Sequence, residues 1–244
     1  MAMTELILSE ITRMDPGYCV IGIQSDTQGF RSVRPGPPYG HAWADSFPFK
    51  RGDRLQFDLS IVPVTRPHVE DYQSFGAPKK LGEVTETDLL GCLRKAEMGT
   101  SLRELFGCQV RIKRRGAFVI GKLAHRSICG VEPQNVRLKW EASALRAAVA
   151  MPSGETLPDL PVVDRSWLAF AEAVMAEIKG ANSAQRLTRY FAQRLQHDAL
   201  DGKSHFLRIG LARPRPNACW LMVDTLFPFP RKSWLHEFKD AHST

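Results

Sequence analysis

The chain has 244 residues, room for one large domain or two small ones. It is 43% hydrophobic, 24% charged and 9% aromatic, with no apolar run near the ~20 residues a membrane span needs, so disordered and helical membrane classes are excluded. The formal charge is +7, but residues 1–98 hold 11 basic and 13 acidic side chains while 99–244 hold 22 and 13, which points to a local cationic surface and a polyanionic partner.

In chain order, Leu6-Ile7-Leu8 opens a first strand. Tyr18 to Ile23 makes a second, Asp26-Thr27-Gln28-Gly29 a turn, and Phe30 to Val33 the return strand of a hairpin. Arg34-Pro35-Gly36-Pro37-Pro38-Tyr39-Gly40 is expected to hold no regular structure, because its prolines lack amide donors. From Arg54 to Ile61 the residues Leu55, Phe57, Leu59 and Ile61 alternate with polar ones, the pattern of a half-buried strand. Residues 63–83 read as loop, with Pro63, Pro67, Gly76, Pro78 and Gly82. Thr85-x-x-Asp88 and Ser101-x-x-Glu104 have capping spacing for two short helices. A domain boundary is placed near residue 100, where the charge changes sign.

Beyond it, Val110 to Leu123 suggests a hairpin around Arg114–Gly116. Val136, Leu138 and Trp140 alternate with Arg137, Lys139 and Glu141 on a neighbouring strand. Two further strands flank Pro152-Ser153-Gly154-Glu155. Asp164 caps a helix carrying Trp167, Leu168, Ala171, Val174, Met175 and Ile178 on one stripe. A second helix runs from about Ser183 to Leu200, with Leu187, Tyr190, Phe191 and Leu195 inward. Phe206 to Leu211 and Cys219 to Val223 return to strand, and Phe227-Pro228-Phe229-Pro230 leads into an exposed tail. Many short strands and few helices predict a mainly β (α+β) fold: two small OB-like barrels, 1–100 and 101–244, with a two-helix insert in the second.

Segment 111–139 carries eight basic residues and one acid. Arg111, Lys113 and Arg115 share one strand face, and Arg137 and Lys139 repeat the arrangement, so a positive sheet surface for nucleic-acid phosphates is predicted. The alternative is a solvated sheet face. Val110 and Ile112 are expected in the core, and parity assigns Phe118 and Trp140 to it as well. Arg31 and Arg34 beside a Pro/Gly loop can clamp a phosphate, or pair with Asp26 or Asp45. Arg213 and Arg215, held extended by prolines, can add ligand contacts, or the prolines only shape a turn with Trp220 in the core. His68, Glu70 and Asp71 are weak candidates for a divalent metal or acid–base chemistry; hydrogen bonding that ties down a long loop is favoured. Extended geometry would put His68 and Glu70 on one face and Asp71 on the other. No phosphate-loop, dinucleotide, zinc-protease or nucleophile-elbow motif occurs, so no cofactor and no catalytic residue is assigned. Five cysteines without a C-x-x-C pair, and an N-terminus with Glu5 and Glu10 and no basic residue before its apolar run, predict free thiols and a cytoplasmic location.

The elements Leu6-Ile7-Leu8-Ser9, Cys19-Val20-Ile21-Gly22-Ile23 and Gly29-Phe30-Arg31-Ser32-Val33-Arg34-Pro35 resemble the start of bacterial dual OB domain-containing proteins. Arg66-Pro67-His68-Val69-Glu70-Asp71 is similar to the H-x-E stretch after their first barrel. Leu207 to Pro214 with Cys219-Trp220-Leu221-Met222-Val223 resembles their last strand pair. Phe30 stands where that family has Trp. The resemblance implies two OB-like barrels and nucleic-acid or nucleotide binding, in bacterial defence or mobile-element systems. Sequence and resemblance together favour a binder of single-stranded nucleic acid or nucleotide. A metal-dependent nuclease or nucleotide hydrolase centred on His68, Glu70 and Asp71 is one alternative. A protein-interaction module docking through its helices or the tail Ser233–Thr244 is another.

Overall fold

The strands of the first eighty-three positions close into a barrel. The structure, a computed structural model, describes residues 2–14, 17–37, 43, 47–63, 66–177, 182–200 and 204–240. Strand β1 (Ala2–Arg13) pairs antiparallel with β2 (Tyr18–Asp26) on one side and β4 (Asp53–Ile61) on the other. β2 turns through Thr27–Gln28 into β3 (Gly29–Gly36), with the Gln28 amide donating to Asp26 Oδ1 at 2.8 Å. β3 runs parallel to β5 (Asp71–Glu83), which returns along β4, giving the closed order β1-β2-β3-β5-β4. Leu6, Leu8, Val20, Val33, Leu55, Phe57 and Leu59 fill it. This is consistent with an OB-like barrel.

Two segments expected as loop are strand. β3 continues through Arg34-Pro35-Gly36, because a parallel neighbour needs only alternate amides: Arg34 N donates to Glu70 O at 2.7 Å, and the Pro35 nitrogen points away. β5 spans most of 63–83. Its Gly76 and Pro78 fall in a bulge where the β4 register slips between Gln56 and Asp58, so neither interrupts a ladder bond.

Helix α1 (Glu86–Leu93) starts where Thr85 accepts from the Asp88 amide at 3.1 Å, and α2 (Leu102–Phe106) starts at Ser101 in the same way. After them the strands divide between two sheets. One has the order β6 (Arg111–Lys113), β7 (Gly116–Ile120), β13 (Ala218–Phe227), β12 (Phe206–Leu211), β8 (Ile128–Val131). The other is the meander β9 (Asn135–Glu141), β10 (Ala144–Ala150), β11 (Thr156–Pro161). They meet at a parallel bridge between Val162 and Val223 and share one core with helices α3 (Arg165–Glu177), α4 (Ser183–Leu200) and α5 (Lys232–Asp240). The expected closed barrel is therefore present in the first half, whereas the second-half strands form a five-stranded and a three-stranded sheet among the described residues.

The tail is also different from its expectation. Residues 232–240 form α5, which buries Trp234 and Phe238 against α3 and α4, and Tyr190 Oη donates to Trp234 O at 2.8 Å. Thr244 and its three predecessors lie outside the described residues. Asp164 caps α3 as predicted, accepting from the Ser166 and Trp167 amides. Its carboxylate also takes a buried ion pair from Arg51 and a bond from Thr225 Oγ1 at 2.8 Å, tying the barrel to the sheet. The five cysteines are unpaired.

Where the barrel meets the five-stranded sheet, charged groups are buried. The β1 register slips after Leu8, which re-aims Ser9 and Glu10 toward the sheet. Asp224 faces Glu10, Arg34, Arg208 and Asp164 there, and burial, reinforced by Glu10, pushes its carboxyl up to about 8. Its Oδ1 has no hydrogen-bond partner among the described residues, and a Cβ on Gly210 would overlap its carboxylate. A carboxyl that keeps its proton in the native state and loses it on unfolding stabilises the fold at low pH. That contribution declines as pH rises from the ordinary carboxylate range toward about 8. Asp224→Asn is expected to flatten this decline. Urea denaturation of both chains at about pH 5 and pH 8 reads it; parallel pH profiles would refute the assignment.

Candidate nucleic-acid interface

The β6–β7 hairpin closes on a two-residue turn, Arg114–Arg115, because Gly116 adopts φ 128, which L side chains rarely reach. The register sets Arg111 opposite Phe118, and Phe118 opposite Trp220 on β13. Directly opposed residues share a sheet face. Arg111, Phe118 and Trp220 therefore form one row across three strands, and the two rings sit 5.3 Å apart at 44°. Trp220 is 40% exposed.

This corrects the core assignments. Phe118 stands on the outer face, while Ala117 and Val119 are buried on the inner one. Ile112, expected in the core, is 47% exposed because β6 is a short strand at the edge of its sheet. Trp140 does pack against the core, and its amide donates to Thr188 Oγ1.

The predicted neighbour relation between the two basic strands is also corrected. Among the described residues β6 pairs only with β7, and β9 only with β10, so Arg111 and Lys113 are not on the same sheet as Arg137 and Lys139. The two sheets nonetheless bring Arg114, Arg115, Arg137 and Lys139 together along a groove of 560 Å³ that reaches Thr188 on α4. Lys139 is already engaged by Glu141 at 2.7 Å and Asp159 at 3.1 Å, and Arg115 lies 4.0 Å from Glu141. Arg111, Lys113, Arg114 and Arg137 form no ion pair with a described residue, so their charge is available to a ligand. Arg215 likewise has no ion pair among the described residues, at the tip of the β12–β13 hairpin.

Five other candidates, Arg34, His68, Glu70, Asp71 and Arg213, come together elsewhere, at the mouth of the barrel. Residues 66–70 are turns on either side of a single bridge at His68, with Val69 N donating to Pro67 O, so the strand parity expected for His68, Glu70 and Asp71 does not apply. Glu70 turns to Ser127, accepting from its amide at 2.9 Å and its hydroxyl at 2.7 Å. Arg34 is buried and donates to Asp71 Oδ1 at 2.7 Å, Ser127 Oγ at 3.0 Å and His68 Nδ1 at 3.1 Å. Arg213 reaches the other oxygen of Asp71 at 2.7 Å. Burial opposes the Asp71 charge, but Arg34 and Arg213 outweigh it and hold the carboxyl below its ordinary range. Burial, then the two arginines, push the His68 imidazole down to about 3, so it is neutral. The carboxylates thus face guanidinium and amide donors. Among the described residues no group of three His, Cys, Asp or Glu side chains is arranged to hold a metal. Arg31 stays apart on the surface with Gln24 and Asp26, and Asp45 lies outside the described residues.

No protein-family model matches the sequence, and no curated protein matches it. Among solved structures the chain is similar to one described as "Structure of murine DNA binding protein bound with ds DNA", at 8% identity and a TM-score of 0.33, covering 93% of this chain and 97% of that one. A likeness that slight carries no argument, and the site stands on its own geometry.

Sequence reasoning missed Trp220 and Phe118 as surface groups. The signal was present: Cys219, Leu221 and Val223 alternate inward, which leaves Trp220 outward. Ser127 and Arg208 gave no local signal, because their partners lie 57 and more residues away.

Proposed function

We propose that the chain binds single-stranded nucleic acid across β6, β7 and β13. The observation that carries this reading is the exposed Trp220 against the half-buried Phe118, in register with Arg111 and beside Lys113 and Arg114, which form no ion pair with a described residue. A ring face accepts any unpaired base, whereas duplex bases are stacked on each other and offer no face. Arg111, Lys113, Arg114 and Arg137 supply the phosphate contacts. The dual OB resemblance supports the same role, and DNA and RNA are equally suited to it.

Affinity for a labelled single strand is expected to fall linearly with the logarithm of salt, with a slope of about −0.7 per phosphate neutralised. Replacing Arg111, Lys113, Arg114 and Arg137 together by Ala is expected to flatten that slope by about 3. Fluorescence anisotropy across a salt series measures both. A quadruple variant with the wild-type slope would remove this face from the interface.

A further inference from the structure

The barrel-mouth residues surround a cavity of 530 Å³, walled by Trp43, Tyr72, Pro35 and Val20 and lined by Arg34, His68, Asp71 and Arg213. Its polar groups are not fully matched. A guanidinium only donates, so the His68 Nδ1 facing Arg34 must accept, and Nε2 carries the hydrogen. His68 is 4% exposed, and its Nε2–H finds no acceptor among the described residues. A buried donor in that state is satisfied by a ligand that brings an acceptor. The open charge lies at Arg213: Arg34 has Asp71 and, through Ser127, Glu70 to offset it, whereas Arg213 has only a share of Asp71 among the described residues. Arg34 is spent on Asp71, His68 and Ser127, but the Arg213 side chain is 48% exposed at the cavity and bonded through Nη2.

The complement of these walls is a planar ring with hydrogen-bond acceptors, joined to an anion. A bare phosphate would leave most of the volume empty, and a metal cation would meet two arginines. We propose that this cavity binds one nucleoside monophosphate unit, its base between the apolar walls and its phosphate at Arg213. The unit can be a free mononucleotide or the phosphorylated end of a strand. The second source rests on the nucleic-acid reading above, and the fold connects the two sites: Arg213 lies on the β12–β13 hairpin, where Ala212 N donates to Trp220 O at 2.9 Å. A strand crossing Trp220 is thereby led toward the cavity.

The test uses the full chain. Calorimetric titration and thermal shift are run with the four ribonucleoside 5′-monophosphates and with inorganic phosphate. Anisotropy is run with a 5′-phosphorylated linear single strand and a circular one of the same sequence. At least one monophosphate is expected to bind and raise the melting temperature. Arg213→Ala should weaken that binding at least tenfold, and Arg213→Lys should weaken it less. The ligand-free melting temperatures of both variants verify that they fold. A linear strand that binds better than the circle, with the advantage lost in Arg213→Ala, identifies strand ends as the source. Equal strand binding alongside monophosphate binding identifies free nucleotide. Monophosphate binding with no strand binding would refute the strand reading and keep the cavity. Strand binding with no monophosphate binding and no linear advantage would refute the cavity, as would inorganic phosphate competing on equal terms with the monophosphates.

Discussion

A Trp220→Ala chain is expected to bind single-stranded oligonucleotides about 5- to 150-fold more weakly than wild type, because loss of base–aromatic stacking costs about 1–3 kcal/mol per base. The slope against salt should not change, since the ring neutralises no phosphate. This separates stacking from charge: the four-cation variant alters the slope, and the tryptophan variant only displaces the line. Trp220→Phe should recover most of the loss, because a smaller ring still offers a face opposite Phe118. Stability is a small part of the effect, as Trp220 stands on the outer face and the core residues Cys219 and Leu221 on either side are untouched. Binding should also quench tryptophan fluorescence in wild type and less so in the variant. Unchanged affinity in Trp220→Ala, or a changed salt slope, would overturn the stacking role.

Legibility in the sequence followed how local each feature is. The β4 alternation, the Thr85 and Ser101 caps and the Asp164 cap depend on neighbours within four residues, and each formed as expected except at the end of β4, where Ile61 is 77% exposed. Strand β5 was hidden because most of its residues face solvent and its ladder is backbone only, so its Gly and Pro dominated the reading. Helix α5 was hidden behind Pro228 and Pro230, although Trp234 and Phe238 have helical spacing. Trp220 was legible by alternation with Cys219 and Leu221, whereas Phe118 was misplaced because parity carried from Ile112 does not survive the turn, where Ile112 pairs with Ala117. The barrel-mouth cluster was named piecemeal, as arginines in two loops and an acidic run in a third. Only the closure of β3 against β5 and the return of the β12–β13 hairpin set Arg34, Asp71 and Arg213 side by side.

Arg208→Met is expected to be the most damaging single substitution, at about 3–5 kcal/mol, because it strands buried carboxylates. Arg208 sits on β12 with no exposed surface, yet its guanidinium reaches into the first half of the chain. Nη2 donates to Ser32 on β3, Nη1 lies 3.6 Å from Glu97, and Nε lies 3.0 Å from Glu10 without the alignment of a hydrogen bond. Burial raises the Glu10 carboxyl against the pull of Arg208, so loss of that cation should drive Glu10 to bind a proton. The variant is therefore expected to lose more stability at neutral than at acidic pH. Adding Glu10→Leu removes the stranded acid and should restore part of the loss, since a buried ion pair is often no more stable than apolar groups of similar volume. What the charges add on that account is uniqueness: one seating of the sheet on the barrel places Arg208 between Glu10 and Glu97, and a slipped seating buries all three unpaired. Urea denaturation of the single and double variants measures the coupling. A single variant within about 1 kcal/mol of wild type, or a double variant no better than the single, would show that the cluster does not hold the two halves in register.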